Sequence, residues 1–379
     1  MKDMGYMMNL TLKIKLCPDA GQFDALKRTM TAFNAACDFI GEVAFKHRCA
    51  NKIKLQTLVY AKVRAKFGLS AQMTVRAIAK TVEAYKRDRN IQPKFRPDGA
   101  MVYDQRILSW KGLDKASLLT LDGRIIVPTL ICDYHRPRLD RIRGQADLIL
   151  IKGTFYLCVV VDVPEPDEIK TLGALGIDLG IVNIAVDSDG EIHSGEKVEK
   201  VRGKMAKLRS ALQECGTRSA TRHLRKISGQ EARYRTNVNH CISKKLVAKA
   251  KDTCRAIALE DLKGIRRDTV VRKAQRSRHS SWAFGQLREF VAYKAKLAGV
   301  PVVLVDPRNT SRTCPECSHI DKRNRLSQSE FKCRNCGFAG FADGVAARNI
   351  AARATVNAPI VATDFSGHFV PPLVTSPAL

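Results

Sequence analysis

The chain has 379 residues, enough for two or three domains, and 45% of them are hydrophobic, enough to pack their cores. Its 65 Lys and Arg stand against 37 Asp and Glu, a formal net charge of +28, which points to a polyanionic partner and argues against a merely soluble basic protein. Met1–Leu10 lacks a basic stretch followed by an apolar core, and Lys152 and Asp162 interrupt the best apolar run, so an intracellular protein with no membrane span is expected.

Leu10–Leu16 alternates as a short strand, with Leu10, Leu12, Ile14 and Leu16 on one face. From Asp19 to about Arg89 the pattern is helical: Phe23, Leu26, Met30, Phe33 and Cys37 recur at steps of three and four. Ser70 is a good N-cap for a later helix, with Val75, Ile78 and Val82 on its apolar side. Gln72, Arg76 and Lys80 recur every four residues on another side, a stripe that fits either a DNA duplex or solvent. Strands return after Pro97. Asp122-Gly123 marks a hairpin between Ala116–Leu121 and Arg124–Leu130, and Ala146–Lys152 with Thr154–Val163 form a second pair. The layout is a small β-domain (residues 1–17 and 96–168) carrying a helical insertion (residues 18–95). Pro164-Glu165-Pro166-Asp167 reads as a linker.

Leu175-Gly176-Ile177-Asp178-Leu179-Gly180 reads as a buried strand with one carboxylate inside it. An unpaired acid there costs several kcal/mol of desolvation, so a cationic partner is expected. Gly176 and Gly180 leave room for something to approach the backbone. The acids of Asp187-Ser188-Asp189-Gly190 are most simply turn acids. Glu196–Arg278 then holds 24 Lys and Arg against 8 Asp and Glu, +16 of the total charge. Two helical stretches, near Lys197–Ile227 and Glu231–Lys251, carry most of it. Arg202, Lys204, Lys207, Arg209, Arg222, Arg225 and Lys226 are candidate phosphate contacts. Aromatic residues are few, so backbone contact is favoured over base stacking. Strands at Arg255–Leu259 and Pro301–Val305 flank an amphipathic helix, Ser281–Ala298, which makes this part an α/β domain.

Twelve cysteines in a reducing compartment argue for metal rather than disulfides. Cys314, Cys317, Cys333 and Cys336 have the C-x2-C-x15-C-x2-C spacing of a zinc ribbon, residues 309–338. Four thiolates close the tetrahedron, so this zinc is structural. Asp343 follows, in an alanine-rich stretch that suggests a helix packed close against a neighbour. The tail, residues 357–379, is nearly uncharged and reads as disordered.

Three carboxylates stand out: Asp178, Glu260 and Asp343. Phosphodiester hydrolysis by two Mg²⁺ ions needs such a set, because Mg²⁺ takes oxygen ligands and one acid must bridge the pair. Asp261 and Asp306 compete with Glu260 by position, and residue chemistry alone leaves that choice open. A basic chain with these acids is expected to be a metal-dependent nuclease, with Mg²⁺ as the metal.

Asp178 in G-I-D-L-G, Glu260 in A-L-E-D-L, Thr310-Ser311 ahead of the cysteine pairs and Asp343 in D-G-V-A-A-R-N, in that order, resemble the TnpB family of transposon-encoded RNA-guided DNA endonucleases. The resemblance covers about residues 172–353; the N-terminal half matches in layout only, as a wedge barrel with a helical recognition insert. It implies an RNase H-like, RuvC-type nuclease domain (residues 169–308 and 339–356) with the ribbon inserted, and it selects Glu260 over its rivals. It also implies a guide RNA derived from the transposon end, double-stranded target DNA, a short flanking DNA motif, and a cytoplasmic, nucleoid-associated prokaryotic protein. Two positions depart from the family: Val345, where Asn is usual, and Ser318, where Gly is usual. A repressor that has lost cleavage is the alternative of a different class. The complete acid set favours the enzyme, and a strand-transferring transposase fits less well.

Overall fold

The computed structural model describes residues 7–112, 114–262 and 284–356. The expected helix start at Ser281, the basic residues from Lys263 to Arg278 and the tail from residue 357 lie outside these. The chain divides between Pro164 and Glu165 into two units.

In the first unit, β1 (Met7–Leu16) buries Leu10, Leu12, Ile14 and Leu16 as the alternation requires. Three helices follow, each started by a side-chain cap. Asp19 and Gln22 form a capping box on α1 (Ala20–Lys46), Asn51 caps α2 (Lys52–Phe67), and Ser70 caps α3 (Ala71–Arg87). Six more strands complete an antiparallel sheet: β2 (Met101–Asp104), β3 (Leu108–Lys111), β4 (Lys115–Thr120), β5 (Gly123–Leu130), β6 (Ile142–Ile151) and β7 (Thr154–Pro164). Their order is β2-β6-β7-β1-β5-β4-β3. The outermost strands, β2 and β3, are consecutive in the chain and joined by Gln105–Ile107, so the sheet curls into a near-closed barrel. Tyr103 Oη reaches Leu119 O at 2.9 Å across that seam. The β6–β7 hairpin turns at Lys152 (φ 48°) and Gly153 (φ 78°), the two left-handed residues that a type I′ turn demands. Phe33, Met30 and Ile40 of α1 lie in one continuous core with Leu12, Phe155 and Leu157 of the barrel.

The second unit is built on a mixed sheet of β8 (Ala174–Asp178), β9 (Asn183–Asp187), β10 (Ile192–Ser194), β11 (Ala256–Glu260) and β12 (Val302–Val305), ordered β10-β9-β8-β11-β12. β8, β11 and β12 are parallel; β9 pairs antiparallel with β8 on one side and β10 on the other. Between β10 and β11 lie α4 (Glu196–Cys215), α5 (Arg218–Ile227) and α6 (Gln230–Asp252). The first basic stretch is thus two helices, broken at Gly216, which is left-handed at φ 62°. α7 (Phe284–Ala298) precedes β12, and α8 (Ala342–Val356) comes after a small hairpin of β13 (Glu330–Lys332) and β14 (Ala339–Phe341).

The sheet of this unit has two chemically different faces. Leu175, Ile177, Ile257 and Leu259 pack under α6 and α7 against Leu246, Val247, Leu287 and Val291. The alternate residues, Ala174, Gly176, Ala256 and Ala258, are small and face α8. In the β9–β10 turn Asp187 has no exposed surface. Its Oδ1 accepts from the N–H groups of Asp189 and Glu191, and its Oδ2 pairs with Lys249 of α6. It is a turn acid, with a buried ion pair added.

Candidate active site

Asp178 ends β8 and Glu260 ends β11. The strands are parallel with Leu259 beside Ile177, so the two acids stand at neighbouring strand ends. By alternation both belong to the small-residue face. Asp343 enters from the first turn of α8. That helix lies unusually close: a Cβ on Gly176 would sit 2.1 Å from Ala347 O and 2.5 Å from Ala351 N. Only glycine permits this approach, and the approach brings the third acid to the other two.

The electrostatics show how close the group is. Burial first, and then the charges of Glu260 and Asp343, push the Asp178 carboxyl up to about 7, against a smaller opposing pull from Arg325. Burial also raises Glu260, offset in part by a hydrogen bond from Thr310. Asp343 accepts from Asn183 Nδ2 at 3.0 Å and from Arg325 at 3.2 Å. Three partly or fully buried carboxylates face two guanidinium groups, Arg325 and Arg353, so their negative charge is undercompensated, and the donor set is all oxygen. Both features fit hard divalent cations. The three acids form no cluster with all ligand atoms within 4.8 Å of one another, and two ions about 3.5–4 Å apart need more room than one.

Asp261 and Asp306 are engaged elsewhere. Asp261 pairs with Arg288 at 3.1 Å, and Asp306 Oδ1 accepts from the N–H of Arg308 at 2.9 Å. Arg325, Asn183 and Asn349 were not singled out by sequence. Asn183 opens β9 five residues past Asp178, and Arg325 is one of several cations between the cysteine pairs, so neither carries a local signal.

The four cysteines are together. Their sulfur atoms lie within 4.8 Å of one another, with Cys314–Cys336 at 3.6 Å and Cys317–Cys333 at 3.5 Å. Zn–S bonds of about 2.3 Å in a tetrahedron set sulfurs about 3.8 Å apart, whereas a disulfide needs about 2.05 Å. The site therefore fits zinc. Each knuckle ends in a left-handed residue, Gly337 at φ 78° and Ser318 at φ 59°. Ser318 makes the tight turn at a steric cost that glycine lacks. Ser318→Gly is expected to raise ribbon stability by about 1 kcal/mol, read as a higher melting temperature with zinc content unchanged. Val345 is buried with Cys314, Phe331, Cys333 and Ala342, so the residue that departs from the family packs the ribbon onto α8.

The expected nucleic-acid residues divide into three groups. Gln72 and Arg76 are half-buried, and both bond Asp104 at the end of β2. Burial of Asp104 opposes its ionisation, but these bonds and the N–H of Arg106 hold its carboxyl below the usual range. Lys80 is committed inside the unit rather than presented to a polyanion. Its ammonium donates to Asn34 Oδ1 at 2.8 Å and to Ala100 O, lies over Phe33 and Phe95, and burial lowers its pKa. On the basic helices, Arg202 pairs with Glu199 and Arg209 with Glu231 at 2.9 Å. Lys204, Lys207, Arg222, Arg225 and Lys226 are exposed. α4 has no buried residue and α5 only Ala220, so these helices present surface rather than core.

Residues 156–264 match a family described as "Probable transposase", and residues 284–350 match the Cas12f1-like TNB domain. The CRISPR-associated endodeoxyribonuclease Cas12f1 of Sulfoacidibacillus thermotolerans is 34% identical over 219 residues, 53% of this chain and 50% of that protein. The chain thus spans about half the length of that relative. A TnpB-like protein of Methanocaldococcus jannaschii is 27% identical over 62% of this chain and 90% of its own length. The fold resembles the cryo-EM structure of a Cas12f1–sgRNA–target DNA complex, with a TM-score of 0.57 at 13% identity over 92% of this chain and 99% of that one. By its matched domains and relatives, the chain resembles the TnpB and Cas12f proteins.

Proposed function

We propose that the chain is an RNA-guided DNA endonuclease of a transposable element, cleaving phosphodiester bonds by two-metal hydrolysis next to a short flanking motif. The observation that carries the reading is the meeting of Asp178, Glu260 and Asp343, from two strand ends and one helix start, on one face of a mixed sheet. The sheet order, with three parallel strands extended by an antiparallel pair, supports a RuvC-type, RNase H-like domain. Two Mg²⁺ ions, when bound, supply the activated water and stabilise the leaving oxygen. The chain's own part is to hold the ligands. Asp178, Glu260 and Asp343 would hold the ions, with Thr310 bonded to Glu260 and Asn183 and Arg325 bonded to Asp343.

Guidance by RNA is supported by charge. A single scissile strand touches few phosphates, whereas a guide–target heteroduplex and an RNA scaffold present many. The exposed cations of α4 and α5 fit that larger polyanion, and Gln72 and Arg76 remain candidates for contact with the flanking duplex. The relatives' names and the sgRNA–DNA complex of the structural neighbour point the same way. No helix among the described residues is long and apolar enough to cross a membrane. The complete acid set disfavours a repressor that acts by occupancy alone.

The test is to reconstitute the protein with RNA co-purified from cells carrying its native locus and to exchange the guide segment. Cleavage is expected to move to the new target, to need the flanking motif and to stop in chelator. Equal cleavage without RNA would leave an ordinary metal nuclease, and guide-directed binding without cleavage would favour the repressor.

A further inference from the structure

Glu260 lies on β11, outside both α8 and the ribbon, yet it is tied to them by a short chain of hydrogen bonds. Thr310 is 3% exposed, and its hydroxyl lies within hydrogen-bond distance of Glu260 Oε1 and 3.1 Å from Pro307 O. A hydroxyl has one proton, and the carboxylate is both the nearer and the stronger acceptor, so the proton goes to Glu260. The Thr310 backbone is fixed in turn. Asn349 Nδ2 on α8 donates to Thr310 O at 2.7 Å and to Thr313 O at 2.8 Å, and Thr313 directly precedes the first cysteine of the ribbon. Asn349 is itself 7% exposed. Two nearly buried polar side chains therefore fasten one acid to the helix that carries another.

We infer that Thr310 is a positioning residue for divalent-metal binding: its hydroxyl fixes the Glu260 carboxylate with Oε2 left for the cation, and Asn349 holds Thr310 in place. The inference rests on the nuclease reading of the three acids. A partner of this kind orients the ligand before the ion arrives, and losing such a partner typically lowers metal affinity or activity about 10- to 100-fold. The hydroxyl, not the methyl group, is the acting part, so serine must replace threonine.

The experiment compares Thr310→Val, Thr310→Ser and Asn349→Asp with the wild type, each as the protein–RNA complex. Mn²⁺ binding is followed by titration calorimetry, and cleavage by its Mg²⁺ dependence. Zinc content and melting temperature check the fold. Thr310→Val is expected to weaken Mn²⁺ binding at least tenfold and to shift the Mg²⁺ requirement upward, with one zinc retained and guide-dependent DNA binding intact. Thr310→Ser should recover most of the loss. Asn349→Asp, which replaces the donor to two carbonyls by an acceptor, should weaken Mn²⁺ binding in the same direction. Wild-type Mn²⁺ affinity in Thr310→Val, or equal impairment in the Ser and Val variants, would overturn the role. If Thr310→Val does not fold, Thr310→Ser against Asn349→Asp decides: wild-type Mn²⁺ affinity in both would also overturn it. A wild type that neither binds Mn²⁺ nor cleaves is a different outcome, because it removes the nuclease reading itself.

Discussion

Asp178→Asn is expected to reduce cleavage to background and, in chelator, to make the protein more heat-stable than the wild type at pH 8. Both effects come from the same packing. The folded Asp178 carboxyl is raised to about 7 by burial and by Glu260 and Asp343, whereas in the unfolded chain it titrates near the ordinary value of about 3.9. A raised acid destabilises the fold when ionised. The penalty is absent below the unfolded pKa, grows as pH rises through the interval, and is complete above the folded pKa. Asparagine removes it, so the gain should be small near pH 4 and reach on the order of 2–4 kcal/mol at pH 8. Saturating Mg²⁺ should narrow or reverse the difference, because only the wild type gains binding energy from the ions. Asp343→Ala and Glu260→Ala should also abolish cleavage while DNA binding survives. Melting curves at the two pH values, with and without Mg²⁺, check the first effect. Full cleavage by Asp343→Ala or Asp178→Asn would remove the site assignment.

Cys333→Ser should lower zinc below one ion per chain and disable cleavage without touching an acid. Metal binding in a ribbon is folding free energy, apparent values being about 10–16 kcal/mol in zinc-finger peptides. The route to the acids is physical. Cys333 shares a buried cluster with Phe331, Ala342 and Val345, Ala342 N donates to Ser329 O at 3.0 Å, and Arg325 reaches Asp343. Loss of the ion therefore loosens the first turn of α8, where Asp343 sits. Elemental analysis, proteolytic sensitivity between residues 309 and 341, and Mn²⁺ affinity should change together. Active protein without zinc would reject the ribbon's role.

Much of this was legible in the sequence because it is carried by local patterns. The alternation of Leu10–Leu16, the cap at Ser70 and the spacing of the cysteines each depend on a few neighbouring residues. Asp178 was legible because an acid inside an apolar strand is costly and so calls for an explanation, whereas Glu260 was separated from Asp261 and Asp306 only by the family resemblance. The partners were not. Asn183 meets Asp343 across 160 positions, and Asn349 meets Thr310 across 39. No period or spacing encodes such pairs; they exist only once the sheet and α8 are assembled. Lys80 shows the converse. Its four-residue rhythm with Gln72 and Arg76 was visible, but the stripe could not reveal that Asn34 and Ala100 would take up its donors.

The contact at Gly176 also sets an order of events during synthesis. Asp178 and Glu260 lie on adjoining strands that can pair before the ribbon is made. Asp343 arrives only after the ribbon residues have left the ribosome and α8 has slid against the glycine. Domains fold progressively as the chain emerges. A nascent or prematurely terminated chain therefore holds the exposed basic helices but only two of the three carboxylates. On the proposed nuclease reading, hydrolytic competence is the last property such a polypeptide acquires.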